Sequence, residues 1–278
     1  MSMLNAGTTA TDGELSASLG TRAIPRWRSV RNYALQLVSI IIFFSTGLGI
    51  TILAPFVRLV LGRRARHVGQ EFIRAIYRRY AVWLQWSGLF RIRFDACGSL
   101  EKLSGAIIAP NHPGLLDAII LISRVPRAVC IMRAGLMRNP CLAGAAWLAG
   151  YIGNDRGAGL IRECRQKLAE GDNLLIFPEG TRTRANARGV NPFKSGFALA
   201  AVLSGAPIQT VFIERSGAYL GKETSLATAA NIPIEMTVSL GEIFHALPGE
   251  SAKQLSLRLE TYYRARLVNT DDGIRLRH

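Results

Sequence analysis

Acidic residues are scarce in this 278-residue chain: 19 Asp and Glu stand against 34 Lys and Arg, a formal net charge of +15. No acid occurs between Glu14 and Glu71. Nearly half of the residues are hydrophobic. A basic and apolar chain suits an anionic membrane surface as partner. No basic helix with interleaved base-stacking aromatics stands out, which argues against a nucleic-acid partner. Cys97, Cys130, Cys141 and Cys164 include no C-x-x-C pair, so buried, reduced thiols are expected. His67, His112, His245 and His278 are scattered without metal-ligand spacing, so no metal is expected. No apolar stretch lies near Met1, so no cleavable secretory signal is expected. Internal repeats and low-complexity linkers are absent too.

What is present divides into three parts. Residues 1–25 are small and polar and read as a flexible tail. Residues 26–88 read as N-terminal membrane-anchoring helices. No charged residue occurs from Asn32 to Val57, and Tyr33 to Ala54 is long enough to cross a bilayer. Pro55 is expected to interrupt a helix there. Arginines flank the run on both sides: Arg22, Arg26, Arg28 and Arg31 before it, Arg58, Arg63, Arg64 and Arg66 after it. Positive charge can favour only one side of a simple span, so a single span and a segment dipping into one leaflet both stay open. Gln70 to Ser87 is a second helix, with Phe72, Ile73, Ile76, Tyr77, Tyr80, Trp83 and Leu84 on one face. That face suits a membrane interface, and it equally suits packing on a globular domain.

Residues 89–278 alternate strand and helix signals. Strands are expected over 90–96, 106–109, 128–132, 173–177, 208–213 and 234–240. Helices are expected over 115–123, 143–149, 158–169, 196–203 and 252–268. The fold class is α/β, a layered mixed sheet flanked by helices.

Two short segments carry chemistry. In Asn111-His112-Pro113-Gly114-Leu115-Leu116-Asp117, a strand ends at Pro110 and a helix starts beyond it. His112 then lies in the turn and Asp117 in the first helical turn. A carboxylate beside an imidazole fixes which ring nitrogen holds the proton and stabilises the cation once formed. That is how a His–Asp pair activates a hydroxyl. Taken alone, the spacing also fits a structural histidine with a chance acid nearby. In Phe177-Pro178-Glu179-Gly180-Thr181-Arg182, Glu179 and Arg182 stand around a turn glycine at a strand end, where ligands bind in open α/β sheets. Arg182 can hold a phosphate through two parallel hydrogen bonds. Lys194 and Arg156 are further cations at element ends, although most such residues are only solvated surface charges.

These residues resemble the lysophosphatidic acid acyltransferase family of glycerolipid acyltransferases. The family's His, four residues, Asp is matched by His112 and Asp117. Its Phe-Pro-Glu-Gly-Thr-Arg is matched in full by residues 177–182. Gly153 to Arg156 matches loosely a glycine-containing block ending in Arg, and Phe193-Lys194-Ser195-Gly196 matches Phe-Lys-x-Gly. In the final block Pro207 is present and Thr210 stands where a second proline is usual, which leaves the last strand's part in the site open. The resemblance spans about residues 90–245. It implies His112 as general base with Asp117 orienting it. Glu179, Gly180, Thr181 and Arg182 would shape the acceptor site, with Arg156 and Lys194 assisting. It implies acyl-CoA or an acyl carrier protein as donor, a lysophospholipid as acceptor, 1-acylglycerol 3-phosphate foremost, and no further cofactor. Transfer would be direct, without an acyl-enzyme. The expected place is a bacterial inner membrane, with the catalytic domain on the cytoplasmic side. The same chemistry on another lipid acceptor, and a silent membrane-tethered lipid-binding protein, are the alternatives.

Overall fold

Helix α1 (Arg26–Leu61) opens the computed structural model, which describes residues 26–184, 187, 189–216 and 231–275. The expected tail, residues 1–25, lies outside the described residues. Helix α1 is long and apolar enough to cross a membrane. It also runs through Pro55, where an interruption was expected. A proline removes one hydrogen bond and crowds the preceding turn. Here the apolar helix continues, and Ala54 beside it is buried. Much of α1 turns outward: Ile41 is 61 % exposed and Leu59 83 %.

The inner side of α1 crosses helix α5 (Pro140–Ala149) at very short range. A Cβ on Gly47 would strike the Cys141 backbone, and one on Gly144 the Thr51 backbone, so both positions need glycine. Helix α2 (Ala65–Trp86) packs through Ile73, Tyr77, Tyr80 and Leu84, all buried. Phe72, expected on that face, is exposed instead. Ser39 of α1 and Tyr80 of α2 share a hydrogen bond of 2.7 Å. Ile50, Ala54, Ile73 and Leu84 belong to the same apolar core as Ile120 and Val211. The two N-terminal helices thus share in the domain's packing.

Among the described residues seven strands form one sheet: β1 (Phe90–Asp95), β2 (Ile107–Pro110), β3 (Ala128–Met132), β4 (Ile152–Gly153), β5 (Asn173–Leu175), β6 (Ile208–Arg215) and β7 (Ile234–Phe244). Their order is β1-β7-β6-β2-β5-β3-β4. Only β6 and β7 pair antiparallel; the other neighbours are parallel. The carboxyl ends of β6, β2 and β5 therefore lie side by side on one edge. Strand β4 was not expected, since two residues give no period to read. Strand β5 stops two residues short of the expected 177, and β7 runs four past 240.

Helices cover both faces. Helices α1, α2, α5 and the short α3 (Asp117–Ile122) and α4 (Ala134–Met137) share one apolar cluster with the sheet. Helices α6 (Ala158–Ala169), α7 (Gly196–Ser204) and α8 (Ala252–Arg275) build the other. From α8 the wholly buried Tyr263 drives its hydroxyl between β2 and β6. There it donates to Ala109 O and accepts from Val211 N. This sheet lies between two helical layers, the mixed α/β architecture that the sequence pattern implies.

Candidate active site

Strand β2 is buried along its whole length, and the chain leaves it at Asn111. The Asn111 side chain then replaces a backbone pairing. Its Nδ2 donates to Ile213 O at 2.9 Å, and its Oδ1 accepts from Ile213 N at 2.7 Å. This ties the start of the turn to β6 and fixes where His112 emerges. Asp117 is the first residue of α3 and is wholly buried. Its Oδ2 accepts from Gly114 N at 2.6 Å and meets His112 Nδ1 at 2.9 Å. A carboxylate accepts, so Nδ1 carries the proton and Nε2 keeps its lone pair. The ring also stacks on Phe177, with centroids 3.9 Å apart. His112 retains 17 % side-chain exposure.

The second segment supports the first from below. Glu179 is 2 % exposed and both its oxygens are engaged. Oε1 accepts from His112 N at 3.0 Å and from the Thr183 hydroxyl at 2.7 Å. Oε2 accepts from Asn191 N at 2.9 Å. Burial pushes the Glu179 carboxyl above its ordinary value, and these three donors oppose the shift. Thr183 N donates to His112 O at 2.8 Å, a second strap on the same residue. Glu179 thus bonds to the backbone that carries the imidazole.

Gly180 takes φ +64°, a left-handed conformation that admits glycine readily. The Lys194 side chain lies over it, within 3.1 Å of where a Cβ would stand, and Lys194 N donates to Pro178 O at 2.8 Å. Thr181 and Arg182 follow, both half-buried. Asn191 Nδ2 donates to Arg182 O at 3.1 Å. Arg156 is placed elsewhere. It follows β4, three strands from β2 and about 14 Å across the sheet at ordinary strand spacing. It is exposed and pairs with Glu163 at 2.7 Å.

The pattern of residues did not single out Arg215, the last residue of β6. Its Nη2 donates to Pro113 O at 3.1 Å, inside the His112 turn. Thr210, standing in place of the usual proline, donates its hydroxyl to Glu242 O at 2.7 Å, where the register between β6 and β7 shifts. Burial pushes up three thiols elsewhere, Cys130 to about 12 and Cys97 and Cys164 to about 11, so none of the three is poised as a nucleophile.

Residues 91–214 match the family model described as acyltransferase. The chain is 34 % identical over 116 residues to the 1-acyl-sn-glycerol-3-phosphate acyltransferase of Haemophilus influenzae, which covers 39 % of this chain and 47 % of the relative. It is 32 % identical over 120 residues to the protein of that name from Escherichia coli, covering 41 % and 48 %. The chain thus spans about half the length of the curated relatives it matches. The crystal structure of the 1-acyl-sn-glycerophosphate (LPA) acyltransferase of Thermotoga maritima has the same fold, with a TM-score of 0.66 at 21 % identity over 89 % of this chain and 98 % of that one. The matched stretch runs from β1 through β6 and carries the His112 turn, the Glu179 loop and the strands that hold them, so it is over residues 91–214 that the chain is similar to the acyltransferases, 1-acyl-sn-glycerol-3-phosphate acyltransferases among them.

Proposed function

We propose that the chain is a membrane-anchored O-acyltransferase. It moves a fatty acyl group from a thioester, acyl-CoA or acyl carrier protein, to the free hydroxyl of a lysophospholipid. The acceptor is 1-acylglycerol 3-phosphate and the product phosphatidic acid. One observation carries this reading: His112 Nδ1 meets the buried Asp117 at 2.9 Å, which leaves Nε2 as a base at the open edge of the sheet.

His112 Nε2 accepts the hydroxyl proton as the oxygen attacks the thioester carbon. The new C–O bond forms, the C–S bond breaks, and the imidazolium returns its proton to the departing thiolate. Asp117 stabilises the imidazolium while the proton is in transit. Arg182, with Lys194 beside Gly180, holds the phosphate of the acceptor. Helix α1, apolar and outward-facing, anchors the protein at the cytoplasmic side of a bacterial inner membrane. Its flanking arginines favour anionic lipid there.

The test offers the purified full-length protein a panel of lysophospholipids with acyl-CoA and acyl carrier protein donors, and reads the products by mass spectrometry. Phosphatidic acid from 1-acylglycerol 3-phosphate is the expected product. Acylation of a lyso-amino-acid lipid in its place would replace the acceptor and leave the chemistry. No transfer to any lyso-lipid would overturn the reading. Fractionation tests the anchor: the protein should stay in membranes at high salt and leave with detergent, since apolar burial is not screened by ions.

A further inference from the structure

Arg215 enters the His112 turn from a different strand, and three observations define what it does there. Its guanidinium occupies the space above Gly114: a Cβ on that glycine would strike Arg215 Nη1 and would lie 3.2 Å from Asp117 Oδ1. Its Nη2 holds Pro113 O at 3.1 Å. Asp117, wholly buried, makes no hydrogen bond through Oδ1 among the described residues, and Oδ1 faces the same space. A buried carboxylate without a cation near it is costly, and removing one partner of such a pair leaves the other charge uncompensated.

We infer that Arg215 is a positioning residue for the His112–Asp117 pair: from β6 it pins the Pro113–Gly114 turn and supplies the cation that faces the buried Asp117 carboxylate. The role rests on reading His112 as the base. Burial works against the Arg215 charge, Asp117 works for it, and the neighbouring Arg182 works against it, which puts all three groups within electrostatic reach. Gly114 is the sequence feature that makes room. Any larger residue would push the guanidinium off the turn. Asp117 therefore has a donor from its own turn, Gly114 N, and a counter-charge from a strand 98 residues further along the chain. Arg215 acts on the reaction through Asp117 and not by touching the substrate.

A double-mutant cycle in full-length protein tests this, with R215Q, R215K, D117N, R215Q/D117N and H112A assayed with 1-acylglycerol 3-phosphate and acyl-CoA. R215Q is expected to lower kcat about tenfold to hundredfold while the acceptor KM stays within about twofold. R215K keeps the charge, loses the fork, and should recover the greater part of kcat. The double variant should turn over no more slowly than D117N alone, because both changes disable one device. Thermal unfolding in detergent supplies a cycle that needs no substrate. R215Q should lower the Tm, and adding D117N should restore part of it by removing the stranded charge. Kinetic losses that multiply, or no coupling in unfolding, overturn the inference. So does an R215Q defect confined to the acceptor KM, which would make Arg215 a ligand of the acceptor. An active H112A would remove the base itself. An inactive H112A with multiplying losses removes only the role of Arg215.

Discussion

Asp117 reaches the imidazole of His112, whereas Glu179 reaches its backbone. Both are carboxylates buried at one edge of the sheet, and both come from segments that open with an apolar strand. Asp117 spends one oxygen on the ring and on Gly114 and leaves the other facing Arg215. Glu179 is saturated by His112 N, the Thr183 hydroxyl and Asn191 N. Two acids of equal intrinsic chemistry thus divide the work. One meets the His112 ring at Nδ1, and the other holds its backbone N–H. The difference lies in which donors each carboxylate meets.

The division breaks most completely at His112. His112→Ala should lower kcat about 10²–10⁴-fold without disturbing the fold, because Glu179 bonds to the backbone and not to the ring. Circular dichroism and initial rates on one preparation check this, and more than a tenth of the activity remaining would reassign the base. Next comes the acceptor's charge. Arg182→Ala should cost about 1.5–3 kcal/mol in kcat/KM for a phosphate-bearing acceptor, and Arg182→Lys less, with the donor KM little changed. Arg156→Gln should raise the acceptor KM less than either, since Arg156 follows the far strand β4 and pairs with Glu163 of α6. Varying each substrate separately decides it.

A smaller effect is expected from Glu179→Gln, and of a different kind. Its amide would present N–H where Asn191 N or His112 N now donates, leaving donors opposed. Stability should fall by about 1–3 kcal/mol, with activity lost in proportion to the folded fraction. Denaturant unfolding beside specific activity separates this from a direct role in turnover. The smallest signal is a slope. Burial raises the Glu179 carboxyl in the folded state, so just above the ordinary carboxylate range the folded chain keeps a proton the unfolded chain has lost. Stability should therefore fall as pH rises through that window, and Glu179→Gln should flatten the slope there. Midpoints of unfolding at closely spaced pH values read it directly.

The sequence was legible where a residue's task is local. Apolar periods place α1, α2, α6 and α8, and the end of β2 follows from Pro110. His112 and Asp117 could be paired on paper because five residues and one turn separate them. Arg215 could not, since its place beside Gly114 depends on β6 lying next to β2, a pairing of segments about a hundred residues apart. The Asn111 bridge to Ile213 was hidden for the same reason. For Glu179 the position at a strand end is legible, and its partners His112 N, the Thr183 hydroxyl and Asn191 N are not. Pro55 misled in the opposite direction: a local rule against helix gave way to packing.

The hydroxyl of Tyr263, lodged between β2 and β6, bears on how the protein is made. Strands β2 and β6 meet just before the turn that carries His112, and the wedge holding them comes from α8. Helix α1 leaves the ribosome more than two hundred residues earlier and can reach the bilayer while synthesis continues. During that interval the strands beside the His112 turn lack the hydroxyl that bridges them. A chain stalled or clipped before Tyr263 would carry every residue of that turn and of the Glu179 loop, and would lack the wedge behind them.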